Sequence, residues 1–152
     1  GACQPLYKNK GSITGLFTVL VEGDDHNEPI ADGVRGILDG HIVLERTIAE
    51  RGRFPAINIL KSVSRAMPGC NTAREQAIVA EARAPMAMYD DMAELIRLGA
   101  YKAGTNPEVD TAIRLNGPLE AFLTQKKDEC ATFADGYSAL ENIIAEGKGR
   151  VT

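Results

Sequence analysis

Apolar residues are distributed in two ways along this chain. Between Gly11 and Pro68 they gather in short, nearly continuous runs, and from Thr72 onward they recur every three or four positions. The first run, Ile13, Leu16, Phe17, Val19, Leu20 and Val21, is rich in β-branched and aromatic types, which predicts an inner strand covered on both faces. Such a strand belongs to a parallel sheet flanked by helices, and the stretch holds too few strands to complete one, so the remainder is expected upstream. Residues 29–38 place Ile30, Val34, Ile37 and Leu38 at helical spacing and predict a short helix that stops at Gly40. Residues 41–44 predict a second strand, TIAERG one or two helical turns closed by Gly52, and residues 55–63 a third strand. That third strand delivers Ser62, Ser64 and Arg65 to its end.

The remainder is rich in Ala, Glu, Arg, Met and Leu, the types that favour helix. A first helix is expected over 72–98, bent near Pro85, with Met88 or Tyr89, Met92, Leu95 and Ile96 on one face. Asn106 can cap a second helix beginning at Pro107, with Glu108 and Asp110 at its positive end. Val109, Ile113, Leu119, Phe122 and Leu123 point inward from it, with a kink expected near Gly117 and Pro118. A third helix over 128–146 carries Phe133, Tyr137, Leu140 and Ile144. Each stripe is expected to be core. The turn at 67–70 divides the chain into domains 1–69 and 70–152, and the fold class is α/β followed by all-α.

Composition narrows the function. The 152 residues hold 17 Lys and Arg against 21 Asp and Glu, a net charge of −4, with no basic block to gather phosphates along a nucleic acid. Cys3, Cys70 and Cys130 have neither zinc-ligand spacing nor the even count of a disulfide framework, which points to a reducing cytoplasm. No apolar run approaches about 20 residues and the N-terminus lacks a signal-peptide core, so no transmembrane segment is expected. The absent initiator Met predicts preceding chain.

Candidate chemistry is sparse. His26 lies in an acidic turn and His41 heads a strand, and neither has a nucleophile or base at a telling distance in sequence. Asp24 and Asp25 begin a metal-like loop that lacks the remaining oxygen ligands, leaving a solvated acidic turn or an electrostatic contact for a basic partner. Arg65, at a strand end in a Ser-Val-Ser-Arg context, can reach a phosphoryl group or serve as a salt-bridged surface residue. Phe54, before Pro55, can stack on a base or close the core. The GK near the C-terminus is not part of a phosphate loop, because G-x-x-x-x-G-K-[ST] is absent.

Four segments then carry a resemblance: GSITGLFTVLVEGDD, NEPIADGVRGILDGHIVLER, RFPAINILKSVSRAMP and MAELIRLGAYKAGTNPEVDTAI, followed by LEAFLTQ. They resemble the C-terminal part of the flagellum-specific ATPases of type III protein export, a family similar to the catalytic subunits of rotary ATP synthases. The resemblance implies the C-terminal edge of a RecA-type P-loop core with its parallel sheet, then a helical C-terminal domain, working as a homo-hexamer that couples ATP hydrolysis to export. It implies that Arg65 is an arginine finger reaching the neighbouring subunit's nucleotide and that Phe54 packs on adenine. It also implies that Asp24, Asp25, Asn27 and Glu28 face a central stalk and that the 99–110 loop pushes on it. ATP and Mg are the implied cofactors, with the phosphate loop, the Mg-binding Asp and the water-polarising Glu upstream. Export apparatus and chaperones are the implied further partners, at the cytoplasmic face of the membrane. Gly33 where Ala is expected and Pro85 within a helix depart from the pattern. Two other readings remain at this point: a non-catalytic helical module docking a stalk or chaperone, and a rotary synthase subunit, which GILDGHIVL and LIRLGAY disfavour.

Overall fold

The computed structural model describes residues 14–20, 33 and 35–149. The chain divides into two compact units, Gly1–Glu45 with Ile57–Cys70, and Arg46–Ala56 with Asn71–Thr152. A segment lying between two strands in sequence thus belongs to the helical unit.

In the first unit, β1 (Gly40–Leu44) pairs with β2 (Ile57–Ser64). The pairing is antiparallel, with Gly40 opposite Ser64 and Leu44 opposite Ile57. The parallel arrangement expected from the apolar runs is therefore not what these two strands form, because a run of apolar side chains does not encode strand direction. The ladder is interrupted between His41 and Val43, where the register jumps from Val63 to Asn58. The displaced residues of β2 close on themselves: Ser62 Oγ accepts from Val43 N at 3.0 Å and donates to the Asn58 carbonyl at 2.6 Å, while Lys61 N donates to Asn58 Oδ1 at 3.0 Å. The His41 ring meets the Lys61 carbonyl at 3.1 Å, so this histidine has a structural partner. Only Val43 of the pair is deeply buried.

The first apolar run differs from its expectation. Thr14 makes an isolated bridge and residues 15–20 have no regular structure. Leu16 and Leu20 are more than nine-tenths exposed and Phe17 is 77% exposed. Burial on both faces requires neighbours on both faces, and among the described residues Leu16, Phe17 and Leu20 have too few for that. Gly33 and residues 35–37 are helical, within the short helix expected over 29–38, which ends before Leu38; residues 29–32 and 34 lie outside the described residues.

The second unit begins with α1 (Arg46–Glu50) and is dominated by α3 (Ala73–Arg97), α4 (Pro107–Leu123) and α5 (Phe133–Gly149); the single-turn α2 (Met67–Cys70) closes the first unit. Each long helix starts with a cap written in the sequence. Thr72 and Glu75 form a reciprocal capping box on α3. Asn106 accepts from Glu108 N at 2.9 Å ahead of Pro107. Thr132 Oγ1 accepts from Asp135 N while Asp135 Oδ2 accepts from Thr132 N, both at 3.2 Å. The Thr132 hydroxyl, and then its amide, hold the Asp135 carboxyl below the usual carboxylate range.

The core is one cluster of Ile78, Ala82, Leu115, Leu119, Leu140 and Ile144, with Met86, Phe122 and Ile143 packed against it. On each helix these residues recur at three- or four-residue spacing, which is why three amphipathic helices can share one interior. Pro85 lies inside α3, a single 25-residue helix within the span expected for it. One boundary moves: α5 starts at Phe133 rather than at residue 128. Phe133, expected in the core stripe, is 90% exposed because it occupies the first position of α5, beyond the layer formed by Leu140 and Ile144. Leu95, from the expected stripe of α3, is also exposed.

Candidate functional site

The candidate residues fall in both units. Arg65 follows the last residue of β2 and is exposed. Its amide donates to the Asp39 carbonyl at 2.7 Å, which ties the end of β2 to the chain entering β1. Its guanidinium donates through Nη1 to the Gly36 carbonyl at 3.3 Å and through Nη2 to the Arg35 carbonyl at 3.4 Å. These carbonyls end the helical residues 35–37, where a cation is favoured by the negative end of the peptide dipoles. Both contacts are long. The guanidinium is oriented by these carbonyls, and among the described residues no carboxylate offsets its charge.

Phe54 belongs to the helical unit. The chain reaches it through a Schellman turn at the end of α1: Gly52 N donates to the Ala49 carbonyl at 2.9 Å and Arg53 N to the Ile48 carbonyl at 3.3 Å. Gly52 has φ +83°, a left-handed conformation that glycine adopts without a Cβ penalty. The Phe54–Pro55 peptide is cis. The Phe54 carbonyl accepts from Gln125 N, beyond the end of α4, at 2.8 Å. Arg53 Nε lies 3.0 Å from Glu120 Oε2 on α4. The Phe54 ring itself is 57% exposed.

The loop after α3 is braced internally. Gly99, at φ +68°, closes α3 with a second Schellman turn, Ala100 N donating to the Leu95 carbonyl at 2.9 Å and Gly99 N to the Ile96 carbonyl at 3.1 Å. The Tyr101 phenol then lies 2.9 Å from Asp110 Oδ1 and 3.0 Å from the Asn106 carbonyl, and it accepts from Asn106 N at 3.2 Å. Asp110 Oδ2 accepts from Gly104 N at 2.9 Å. Partial burial, and then the bond to Asp110, push the Tyr101 phenol above its ordinary value. Lys102, Ala103, Gly104 and Thr105 stand exposed on this brace.

Asp24, Asp25, Asn27 and Glu28 lie outside the described residues, as does His26. The two candidates that the structure describes, Phe54 and Arg65, belong to different compact units. Reading the sequence did not single out Arg53, Glu120 or Gln125. No local pattern marks a bond between a loop and a helix so far downstream, although the RGRF string could have drawn attention to an arginine beside the aromatic.

Taken separately, a mostly open aromatic ring such as Phe54 has the chemistry to stack on a base, and an exposed guanidinium such as Arg65 has the chemistry to meet a phosphate. Magnesium finds no comparable fit, because the described residues hold no group of three or more His, Cys, Asp or Glu able to bind a metal. Among the described residues no helix is long and apolar enough to cross a membrane.

Comparison with known proteins matches residues 2–64 to the ATP synthase alpha/beta family, nucleotide-binding domain, and residues 71–142 to the T3SS EscN ATPase C-terminal domain. The "Flagellum-specific ATP synthase" of Caulobacter vibrioides is 60% identical over 144 residues, covering 95% of this chain and 32% of that protein. The assembled ATPase EscN of the enteropathogenic E. coli type III secretion system superposes with a TM-score of 0.83 at 41% identity, over 89% of this chain and 33% of that one. EscN in complex with its central stalk EscO gives a TM-score of 0.71 at 38% identity, over 77% of this chain and 29% of that one. The chain spans about a third of the length of these relatives.

Proposed function

We propose that the chain, which is similar over most of its length to flagellum-specific and type III secretion ATPases, forms the C-terminal part of a hexameric ATPase that couples ATP hydrolysis to protein export. ATP with magnesium supplies the phosphoryl group whose transfer drives the cycle, and the magnesium ligands belong to a part of the protein other than the described residues.

The observation that carries this reading is the state of Arg65. An exposed guanidinium at a strand end, whose partners among the described residues are carbonyls, is available to a phosphoryl group, and its planar fork suits phosphate oxygens. Arg65 serves the nucleotide of the neighbouring subunit, while Phe54 offers its ring to adenine in its own. The assignment of these two residues to different compact units suits two separate tasks. The braced loop after α3, with the acidic turn of Asp24, Asp25, Asn27 and Glu28, contacts a central stalk, as suggested by the EscN–EscO relative. The working location is the cytoplasmic face of the export apparatus, where chaperones deliver substrates. Residues 1–69 complete the nucleotide-binding core and residues 70–152 form the helical domain.

The test is Arg65→Ala in the full-length ATPase. Turnover should fall by about a thousandfold or more, as for other arginine fingers, with nucleotide binding retained by equilibrium dialysis. Normal turnover would remove Arg65 from the reaction.

A further inference from the structure

Phe54 presents a mostly open ring, so packing around the ring does not aim it. Its direction must come from its backbone, and the backbone is held from both sides. Before it, the Gly52 turn sets the path, and after it Pro55 restricts φ. Two contacts tie this stretch to α4 and the chain just after it: Gln125 N donates to the Phe54 carbonyl at 2.8 Å, and Arg53 Nε lies 3.0 Å from Glu120 Oε2.

The Arg53 side chain is only 10% exposed, whereas Glu120 is 45% exposed. A guanidinium taken that far out of water persists where a carboxylate and further acceptors receive its protons. The pair holds the Arg53 head group against α4 at hydrogen-bonding distance. Arg53 is the residue immediately before Phe54, so an anchored Arg53 leaves little freedom to the aromatic's Cα–Cβ vector. Glu120 lies in the last turn of α4 and Gln125 just beyond its extended cap residue Thr124, and together they hold the loop at two points.

We infer that Arg53 and Glu120 are positioning residues for the Phe54 ring: through this pair the helical unit, rather than the strands flanking the loop in sequence, holds the platform for adenine. The inference rests on the proposal that Phe54 stacks on the base. Its consequence is that selection of a purine over a smaller pyrimidine depends on residues of α4 that do not touch the nucleotide, because stacking rewards area and alignment.

The experiment uses the full-length ATPase carrying Phe54→Ala, Glu120→Gln or both, with KM and kcat measured for ATP and for CTP. Thermal midpoints are recorded beside them. Glu120→Gln should raise KM for ATP by roughly three- to tenfold, leave kcat near wild type, and shrink the ATP-over-CTP preference in kcat/KM. The double variant should be no worse than Phe54→Ala alone, because the two changes remove the same contact. A general loosening of the fold would lower both substrates equally and would overturn the positioning role. So would a raised KM in Phe54→Ala beside an unchanged KM in Glu120→Gln, or fold-changes that multiply in the double variant. An unchanged KM in Phe54→Ala would instead overturn the adenine reading, and the anchor with it.

Discussion

Tyr101 and Asp110 stand 2.9 Å apart across the loop that joins α3 to α4, phenol to carboxylate, and the second carboxylate oxygen holds Gly104 N. Asp110 was expected from sequence only as a favourable charge in the first turn of α4. It serves both ends of the loop, and the exposed residues 102–105 are presented on a fixed frame as a result.

That frame predicts a pH dependence. The Tyr101 phenol is raised above its ordinary value of 10.0, so the folded state favours the neutral form more than the unfolded state does. The stability it contributes is complete below pH 10.0 and is lost as pH rises through the higher folded value. Tyr101→Phe should be less stable than wild type at neutral pH and should show a smaller decline through the alkaline range. Urea unfolding at a series of pH values, followed alongside phenolate absorbance, checks both. An identical alkaline decline in the two proteins would show that another group is responsible.

The capping box of α3 offers a local test. Thr72 Oγ1 accepts from Glu75 N at 3.3 Å, and Glu75 Oε2 accepts from Thr72 N at 2.7 Å. Thr72→Ala should lower the unfolding free energy of the helical unit by about 1 kcal/mol, measured by chemical denaturation. A Thr72→Ser variant should recover most of that loss.

Two side chains expected to be alike in the core should behave differently. Leu119 is 2% exposed within the three-helix cluster, whereas Phe133 is 90% exposed. Leu119→Ala should cost about 2–5 kcal/mol, the sum of lost burial and the cavity left behind. Phe133→Ala should change stability by no more than about 0.5 kcal/mol. Equal losses in the two variants would contradict the placement of Phe133.

By itself the sequence determined the elements whose causes are local. Helical spacing located the three long helices, Asn106 before Pro107 marked the start of α4, and Gly52 marked the end of α1. The Ser-Val-Ser-Arg string placed Arg65 at the end of a strand, where it is found. Each depends on residues within a turn or two of one another, so composition and spacing suffice.

Tertiary structure decided what depends on distant partners. The antiparallel pairing of β1 and β2, with its interruption held by Ser62 and Asn58, is set by which backbone groups meet, and apolar patterning is blind to that. The exposure of Leu16, Phe17 and Leu20 follows from what lies against them, and the exposure of Phe133 from where α5 begins relative to its neighbours. Above all, Arg46–Ala56 belongs with the helical unit, where Arg53 meets Glu120 and the Phe54 carbonyl meets Gln125. The sequence made Phe54 a candidate, and the bonds to Glu120 and Gln125 show which part of the molecule holds it.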